Sequence, residues 1–239
     1  MQKVISLLLT FLVSVSLHAQ ETVHVVKDAS AQERKVGDFT AIQVAGAMDV
    51  YVTQGKQTAL AVSASSEDAR DAIITEVRGN TLYISFKYNI GNSWKNTQAR
   101  AYVTIAQLQM MDVSGASDVN IVGVLKSTDL LMKLSGASNL KGELDLNNGR
   151  IILNGASDCK LSGKASRMKL QVSGASDFKG YDLKSDIAEL TVSGASDVQV
   201  TVEQEISVQA SGASSVHYKG SPQIRNASIV GASSFSRKQ

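Results

Sequence analysis

The chain has 239 residues and is nearly neutral, with 24 Lys and Arg against 22 Asp and Glu. A balance this even excludes the basic surface that nucleic-acid-binding proteins use, so we expect no nucleic-acid partner. One cysteine excludes an internal disulfide, and the length suits a single domain with its own core, which we place at residues 21–239.

Residues 1–20 are typical of a signal peptide. Lys3 precedes an apolar run from Val4 to Leu17, and Leu17-His18-Ala19 resembles a signal-peptidase site. The run has about fourteen residues, whereas a membrane span needs roughly twenty, and no later stretch is long enough. We therefore predict an exported protein without a membrane span, located in the periplasm, on the cell surface or outside the cell.

Residues 39–110 contain strand-like segments but little repetition. Apolar and polar residues alternate in Thr81–Phe86 and again in residues 101–105, which predicts strands with one buried face. Ser65 or Ser66 can cap a helical turn, and Arg78-Gly79-Asn80 is typical of a hairpin turn. A stack of strands leaves unpaired backbone N–H and C=O groups at each end, which other segments must cover. We therefore interpret this stretch as an irregular, β-rich cap and flank.

A loop at residues 88–97 holds the only tryptophan, Trp94, with Tyr88 at its start. An aromatic side chain among Gly, Asn and Ser residues can stack on a sugar ring or anchor a protein partner. We therefore predict Trp94 and Tyr88 as contact residues for a cell-surface glycan or protein, with the partner itself unknown. The alternative is that Trp94 packs on the cap, in which case Trp94→Ala lowers stability instead of affinity.

The tetrapeptide Gly-Ala-Ser-Asp, or a near copy, occurs eight times, and the copies begin at Gly46, Gly115, Gly136, Gly155, Gly174, Gly194, Gly212 and Gly231. From Gly115 onward the spacings are 21, 19, 19, 20, 18 and 19 residues. A fixed period of this length indicates one structural unit stacked along an axis. Residues 111–239 are therefore predicted to form regular repeats.

Apolar residues lie two and four positions before each repeat glycine and four positions after it, which is the period of a half-buried strand. We predict an all-β fold, a parallel β-helix with about 19 residues per coil. One interior column should contain Val119, Leu140, Cys159, Phe178 and Val198, and a third edge should contain Leu125, Leu144, Leu161 and Leu183. Cys159 is then a core residue and not a reactive thiol. Whether Ala or Ser of the motif points inward stays open.

A polar column lies three residues after each repeat glycine, at Asp49, Asp118, Asn139, Asp158, Asp177, Asp197, Ser215 and Ser234. Stacked carboxylates could bind a row of Ca²⁺ ions, or each side chain could bond to backbone N–H groups of its own turn. The presence of Asn and Ser in the column favours the turn role, so we predict no metal and no cofactor. The serine columns of the motif are interpreted as stacked hydroxyl ladders.

The sequence contains few residues that could form a catalytic or metal site. Only His24 and His217 remain after removal of the leader, which leaves little for a Ser-His-Asp arrangement or a histidine metal site. We predict a protein that is not an enzyme. A carbohydrate-active β-helix enzyme is the rival, to be recognised by a groove with several convergent acids and bases, and a purely structural envelope protein is the third alternative.

Units such as Val192–Val198, together with Phe39–Val50 and Gly79–Ile84, resemble the family named putative auto-transporter adhesin, head GIN domain. The resemblance covers the chain from about Phe39 to the end. It implies a right-handed β-helix, export, occurrence in Bacteroidetes and an adhesin-like or envelope-associated role, and it brings no catalytic residues. This chain departs from the family's motif at Met48, which replaces the Ser, and at Ser215 and Ser234, which replace the Asp, and these departures argue against a site that needs an unbroken Asp column.

Overall fold

The computed structural model describes residues 28–87 and 98–239. Strands make up 68% of the structure and helix 2%, and parallel coils of about 19 residues stack into a β-solenoid of about 7 turns. The predicted all-β parallel β-helix is confirmed. Residues 1–27, which include the predicted signal peptide, lie outside the described residues. Within the described ranges, no helix has the length and apolar character needed to cross a membrane.

The strands of the N-terminal half are β1 (Gln32–Arg34), β2 (Ala41–Gly46), β3 (Asp49–Gln54), β4 (Ala59–Ser63), β5 (Ile73–Arg78), β6 (Thr81–Phe86), β7 (Arg100–Ile105) and β8 (Met110–Gly115). The strands of the regular coils are β9 (Asp118–Leu134), β10 (Asn139–Leu153), β11 (Asp158–Val172), β12 (Asp177–Val192), β13 (Asp197–Ala210), β14 (Ser215–Lys219), β15 (Gln223–Ile229) and β16 (Ser234–Arg237). A short helix, α1 (Glu67–Asp71), lies between β4 and β5.

The predicted cap closes the N-terminal end of the solenoid. Strands β2 and β3 carry the first motif copy and are stacked between β6 and β7 on one side and β8 and β9 on the other. Strand β5 then pairs antiparallel with β6, β4 pairs antiparallel with β7, and β1 with β4. The two predicted local features are present, since Ser66 caps α1 and Gly79-Asn80 turns the chain between β5 and β6.

The regular coils stack in parallel register, and the predicted interior column is confirmed. Val119, Leu140, Cys159, Phe178 and Val198 are direct cross-strand partners, and each is at most 2% exposed. Burial of such a column is the main source of stability, at about 1.5 to 3 kcal/mol for each large side chain.

The predicted third edge is wrong at one position. Leu125, Leu144 and Leu183 share a row, but the partner of Leu144 in the next coil is Gly163. Leu161 is buried in the adjacent row, where it pairs with Gly142. Leu144 lies eight residues after its motif glycine, Gly136, whereas Leu161 lies six after Gly155, and the two coils pair without a register shift, so the two leucines fall in different rows.

The motif glycines form a corner at which backbone stacks directly on backbone. Gly155 has φ +81°, and a Cβ atom added to it would lie 2.5 Å from the carbonyl oxygen of Gly136 in the previous coil. The amide of Ala156 donates a 2.8 Å hydrogen bond to that same oxygen. Only glycine combines this backbone conformation with so close an approach.

The corner turns the motif serine inward and the motif alanine outward. Ser157 is buried, whereas Ala156 is exposed. The Ser157 hydroxyl donates to the carbonyl oxygen of Asn154 at 3.0 Å, and the Ser157 amide donates to Oγ of Ser176 at 3.2 Å. A buried hydroxyl is tolerated because it is hydrogen-bonded, so the predicted serine ladder is present and its hydroxyls bond mainly to backbone.

We predict that Gly155→Ala lowers the free energy of unfolding by at least about 3 kcal/mol, because the new methyl group meets a backbone carbonyl and the residue must keep a positive φ. The matched control is Gly79→Ala. Gly79 also has a positive φ, of +57°, but a Cβ there meets nothing within 4 Å, so this change should cost about 1 kcal/mol. Urea unfolding of both variants measures the difference, and equal losses would show that the corner contact is unimportant.

Candidate functional site

Two outward-facing columns follow the corner and form the sides of a shallow groove. The acidic column is the one predicted from the third position after each glycine, and it is aligned across the coils. The second column lies two residues further along and contains Tyr102, Tyr51, Asn120, Lys141, Lys160, Lys179 and Gln199. We call the depression between Asp49 and Lys179 the ladder groove, and its volume is about 500 Å³.

In the described residues, the acidic side chains contact neighbouring side chains and accept no hydrogen bond from their own turn amides, which corrects the predicted role. Nδ2 of Asn139 donates to Asp118 at 2.7 Å, and Nζ of Lys179 lies 3.6 Å from Asp158 and 3.9 Å from Asp177. The physical reason is that the corner amides are already used. The Asp158 amide, for example, donates to the Ser138 carbonyl of the previous coil at 3.1 Å, as the coil stacking requires.

Two lysines of the groove keep their charge unpaired. Lys141 and Lys160 are exposed cross-strand partners, and in the described residues no carboxylate lies within 4 Å of either ammonium group. Neighbouring coils are roughly 4.8 Å apart, so the two charges form a short row along the solenoid axis. This row is available to a hydroxyl-rich or anionic ligand.

An aromatic platform lies at the N-terminal end of the same column. The rings of Tyr51 and Tyr102 stack with centroids 5.2 Å apart and planes inclined by 21°. The Tyr102 hydroxyl donates to Asp28 at 2.8 Å, and the Ser63 hydroxyl donates to the same carboxylate at 2.6 Å. Arg100 lies 3.6 Å from Asp28. Asp28, Ser63, Arg100 and Tyr102 form what we call the anchor cluster. Its contacts fix the Tyr102 ring against Tyr51.

The anchor cluster shifts the acidity of its own members. The hydrogen bonds from Ser63 and then Tyr102 hold the pKa of Asp28 below its usual value. Burial, followed by the hydrogen bond to Asp28, raises the pKa of Tyr102 to about 12. The tyrosine is therefore a neutral donor, and the carboxylate an ionised acceptor, at every pH near neutrality.

A second depression of about 650 Å³ lies on the face that precedes the corner. Two of its acidic side chains already have partners, since Lys169 lies 2.9 Å from Glu189 and Asn148 donates to Asp129 at 2.8 Å. Among its described lining residues none is aromatic. This depression therefore lacks the stacking surface of the ladder groove.

The residues predicted from the sequence lie elsewhere or stay untested. Tyr88 and Trp94 lie outside the described residues, so their role as contacts stays a prediction. Cys159 is fully buried beneath the groove, and burial raises the pKa of its thiol, so it is a core residue as expected. Nε2 of His217 lies 3.9 Å from Asp197. In the described ranges, no group of three or more His, Cys, Asp or Glu side chains is placed to hold a metal ion.

Sequence reasoning missed Tyr51 and the lysine row. The signal was present, because the fifth position after the glycine is Tyr51, Asn120, Lys141, Lys160 and Lys179 in successive copies of the motif. The alternation rule marks that position as outward-facing, next to the acidic column. The period of the apolar residues alone does not single out this fifth position.

Comparison with known proteins agrees with this architecture. Residues 38–222 match the family described as "Putative auto-transporter adhesin, head GIN domain". The chain belongs to this family. No curated protein shows a significant match to the chain.

Three solved structures illustrate the shared fold. A putative adhesin from Bacteroides fragilis is 23% identical with a TM-score of 0.76, and the match covers 87% of this chain and 94% of that one. A putative lipid binding protein from Parabacteroides distasonis is 21% identical with a TM-score of 0.69, covering 87% and 96%. A putative adhesin from Parabacteroides merdae is 15% identical with a TM-score of 0.64, covering 88% and 96%. At these identities the likeness shows the fold alone.

We predict that the anchor cluster gives the protein a distinct alkaline stability profile. The folded state keeps Tyr102 neutral up to about pH 12, whereas the unfolded chain ionises it near pH 10. The resulting stabilisation is complete below pH 10 and is lost as the pH rises to about 12. After a discount for the partial exposure of the ring, we expect wild type to lose about 1 kcal/mol more than Tyr102→Phe across this window.

Denaturant unfolding at a series of pH values measures this difference. Asp28→Asn removes the ionised acceptor and should reduce the difference between wild type and Tyr102→Phe, while the part that comes from burial of the ring remains. A constant difference between wild type and Tyr102→Phe across the alkaline window would contradict the described hydrogen bond.

Proposed function

We propose that this protein is an exported, non-enzymatic, adhesin-like binding module that holds a cell-surface glycan in the ladder groove. The observation that carries the proposal is the half-buried Tyr51, whose ring is backed by the anchored Tyr102 and flanked by amide, carboxylate and ammonium side chains. A rigid aromatic face beside several hydrogen-bonding groups is a combination that suits a sugar ring.

The shape of the groove favours a chain-like glycan over a single small molecule. The groove runs across consecutive coils from Asp49 to Lys179 and repeats similar groups at each step. Carboxylates and amides accept and donate bonds to hydroxyl groups, and the unpaired Lys141 and Lys160 can meet an acidic substituent. Because the sites repeat, weak contacts at each step add along the chain of sugars.

Family membership and the leader support export and an envelope role. The family is described as a putative adhesin family, and solved proteins of similar fold from Bacteroides fragilis and Parabacteroides merdae are named putative adhesins. Residues 1–20 have the pattern of a signal peptide. The absence of catalytic activity is part of the proposal and rests on the scarcity of histidine and cysteine in the sequence.

Glycan-array binding of the purified protein, followed by calorimetry on the best ligand, tests the proposal. Tyr51→Ala should raise the dissociation constant by about tenfold or more, because it removes the stacking face. The matched control is Tyr83→Ala, which removes another half-buried tyrosine from the outer face of a cap strand. Equal effects of the two changes, or no glycan bound at all, would contradict the groove as the binding site.

A parallel variant, Trp94→Ala, tests the loop predicted from the sequence. If that change abolishes binding while Tyr51→Ala has no effect, the contact lies in the loop and not in the ladder groove. A melting curve of Trp94→Ala distinguishes lost contact from lost packing.

One observation favours a second candidate, a polysaccharide lyase or hydrolase. The ladder groove brings acids and bases together, including the contact between Asp158 and Lys179. This is the feature that would distinguish an enzyme from a binding module. Incubation of each bound glycan with the protein, with new chain ends as the readout, decides between them. Cleavage that Asp158→Asn abolishes would establish the enzyme, and intact glycan with retained binding is what the adhesin-like proposal predicts.

A further inference from the structure

The depression on the face that precedes the corner crosses four coils between two outward-facing rows, and we call it the arginine groove. Between the rows, the buried side chains of Leu130 and Met168 form its floor. Its volume of about 650 Å³ suits a ligand larger than a simple ion. One row contains Asp129, Asn148, Arg167 and Ile187, and the other contains Leu131, Arg150, Lys169 and Glu189.

Two arginines occupy the middle of the arginine groove. Arg150 lies opposite Lys169 and Arg167 lies opposite Asn148, so the two arginines stand at diagonal positions on neighbouring coils. The geometry of a parallel sheet places their Cα atoms about 8 Å apart. Both side chains are long and exposed, so the two guanidinium groups can reach one ligand group that lies between them.

The acids on the border of the groove bond to other partners. Nδ2 of Asn148 donates to Asp129 at 2.8 Å, and Nζ of Lys169 lies 2.9 Å from Glu189. In the part of the chain that the structure describes, no carboxylate lies within 4 Å of either guanidinium group of the groove. The positive charge of the two arginines is therefore not offset from within the protein.

The arginines also keep most of their hydrogen-bond donors free. A guanidinium group has five N–H donors. Arg150 uses one of them, in a 2.9 Å bond to Oε1 of Gln171, and among residues 28–87 and 98–239 no group accepts a bond from the side chain of Arg167. The unused capacity of the groove is thus cationic and rich in donors, which suits a phosphate or carboxylate group, because bonds between ionised partners are the strong ones.

Apolar side chains lie on both sides of the arginines. Leu131 marks one end of the groove and Ile187 the other, each on an outward-facing row whose other members are polar or charged. Both are half-buried, and the floor formed by Leu130 and Met168 connects them. A free anion would contact the arginines and leave this apolar surface in water, whereas an anion carried on a hydrocarbon body would cover it.

We propose that the arginine groove binds an anionic amphiphile, with its phosphate or carboxylate head held between Arg150 and Arg167 and its hydrocarbon body lying over Met168 towards Ile187. The planar guanidinium fork matches such a head group in a bidentate manner. This site is separate from the ladder groove, which follows the corner on another face of the coil. It goes beyond the proposed glycan-binding function and does not depend on it.

Calorimetric titration of the full chain with dodecyl phosphate, kept below its critical micelle concentration, tests the proposal. Dodecyl phosphate should bind at least about tenfold more tightly than inorganic phosphate, which lacks the tail, and than a dodecyl polyethylene glycol ether, which has the same tail and an uncharged head. Equal binding of inorganic phosphate would overturn the role of the apolar side chains. Equal binding of the uncharged amphiphile would overturn the role of the arginines.

A matched pair of charge-removing variants locates the head group. Arg167→Gln should raise the dissociation constant of dodecyl phosphate by about tenfold or more, because it removes one guanidinium fork. Arg167 is exposed and donates no bond within the described ranges, so the variant should keep its circular dichroism spectrum and melting temperature. The control is Lys160→Gln, which removes an exposed, unpaired cation from the ladder groove and should leave the dissociation constant unchanged.

Ile187→Thr tests the position of the hydrocarbon body. This change keeps the branched side chain but makes it polar, so it should weaken dodecyl phosphate and leave the weaker binding of inorganic phosphate as it is. Wild type that binds no dodecyl phosphate, or binding that Arg167→Gln and Lys160→Gln reduce equally, overturns the proposal. Binding of dodecyl phosphate that persists in Tyr51→Ala shows that the two grooves are independent, and loss of binding in that variant would contradict the arginine groove as the site.

Discussion

The structure depends on one contact, the hydrogen bond from the amide that follows each corner glycine to the carbonyl of the glycine one coil earlier. It recurs at 2.8 Å from Ala116 through Ala232. Because no side chain separates the two backbones, the corner fixes the spacing and the register of the coils together. The interior column, the buried serines and the outward ladders all follow from that register.

Register is also what gives the surface its chemistry. A residue type repeated at one offset becomes a row of that residue type along the axis, so Lys141 and Lys160 become neighbours although 19 positions separate them in the sequence. The N-terminal cap adds an element that the repeats lack, a stacked tyrosine pair held by the partly buried carboxylate of Asp28. The ladder groove therefore joins a repeated part and a unique part of the chain.

Much of the fold could be predicted because the period and the alternation are strong local signals. They identified the β-helix, the core position of Cys159 and the place of the cap. They failed at two places. Leu161 was grouped with Leu144 although the two leucines lie at different distances from their motif glycines, and the inward turn of Ser157 depends on the corner backbone, which the alternation rule does not describe.

The candidate site was harder to predict because its geometry depends on several coils at once. Asp158 looked like a turn residue because isolated Asp residues often bond to nearby amides. In a stack those amides are taken by the neighbouring coil, and the side chain is left to pair with Lys179. Tyr51 becomes a platform only because β7, from far along the chain, places Tyr102 beside it.

Amide hydrogen exchange at the corners tests the central claim most directly. Ala156, Ala175 and Ala195 have exposed side chains in a sequence typical of flexible turns, and each amide bonds to the glycine carbonyl of the preceding coil. The account predicts that these amides exchange only through global unfolding, as slowly as those of Cys159 and Phe178 in the interior column. Rapid exchange of the three corner amides in an otherwise protected solenoid would contradict it.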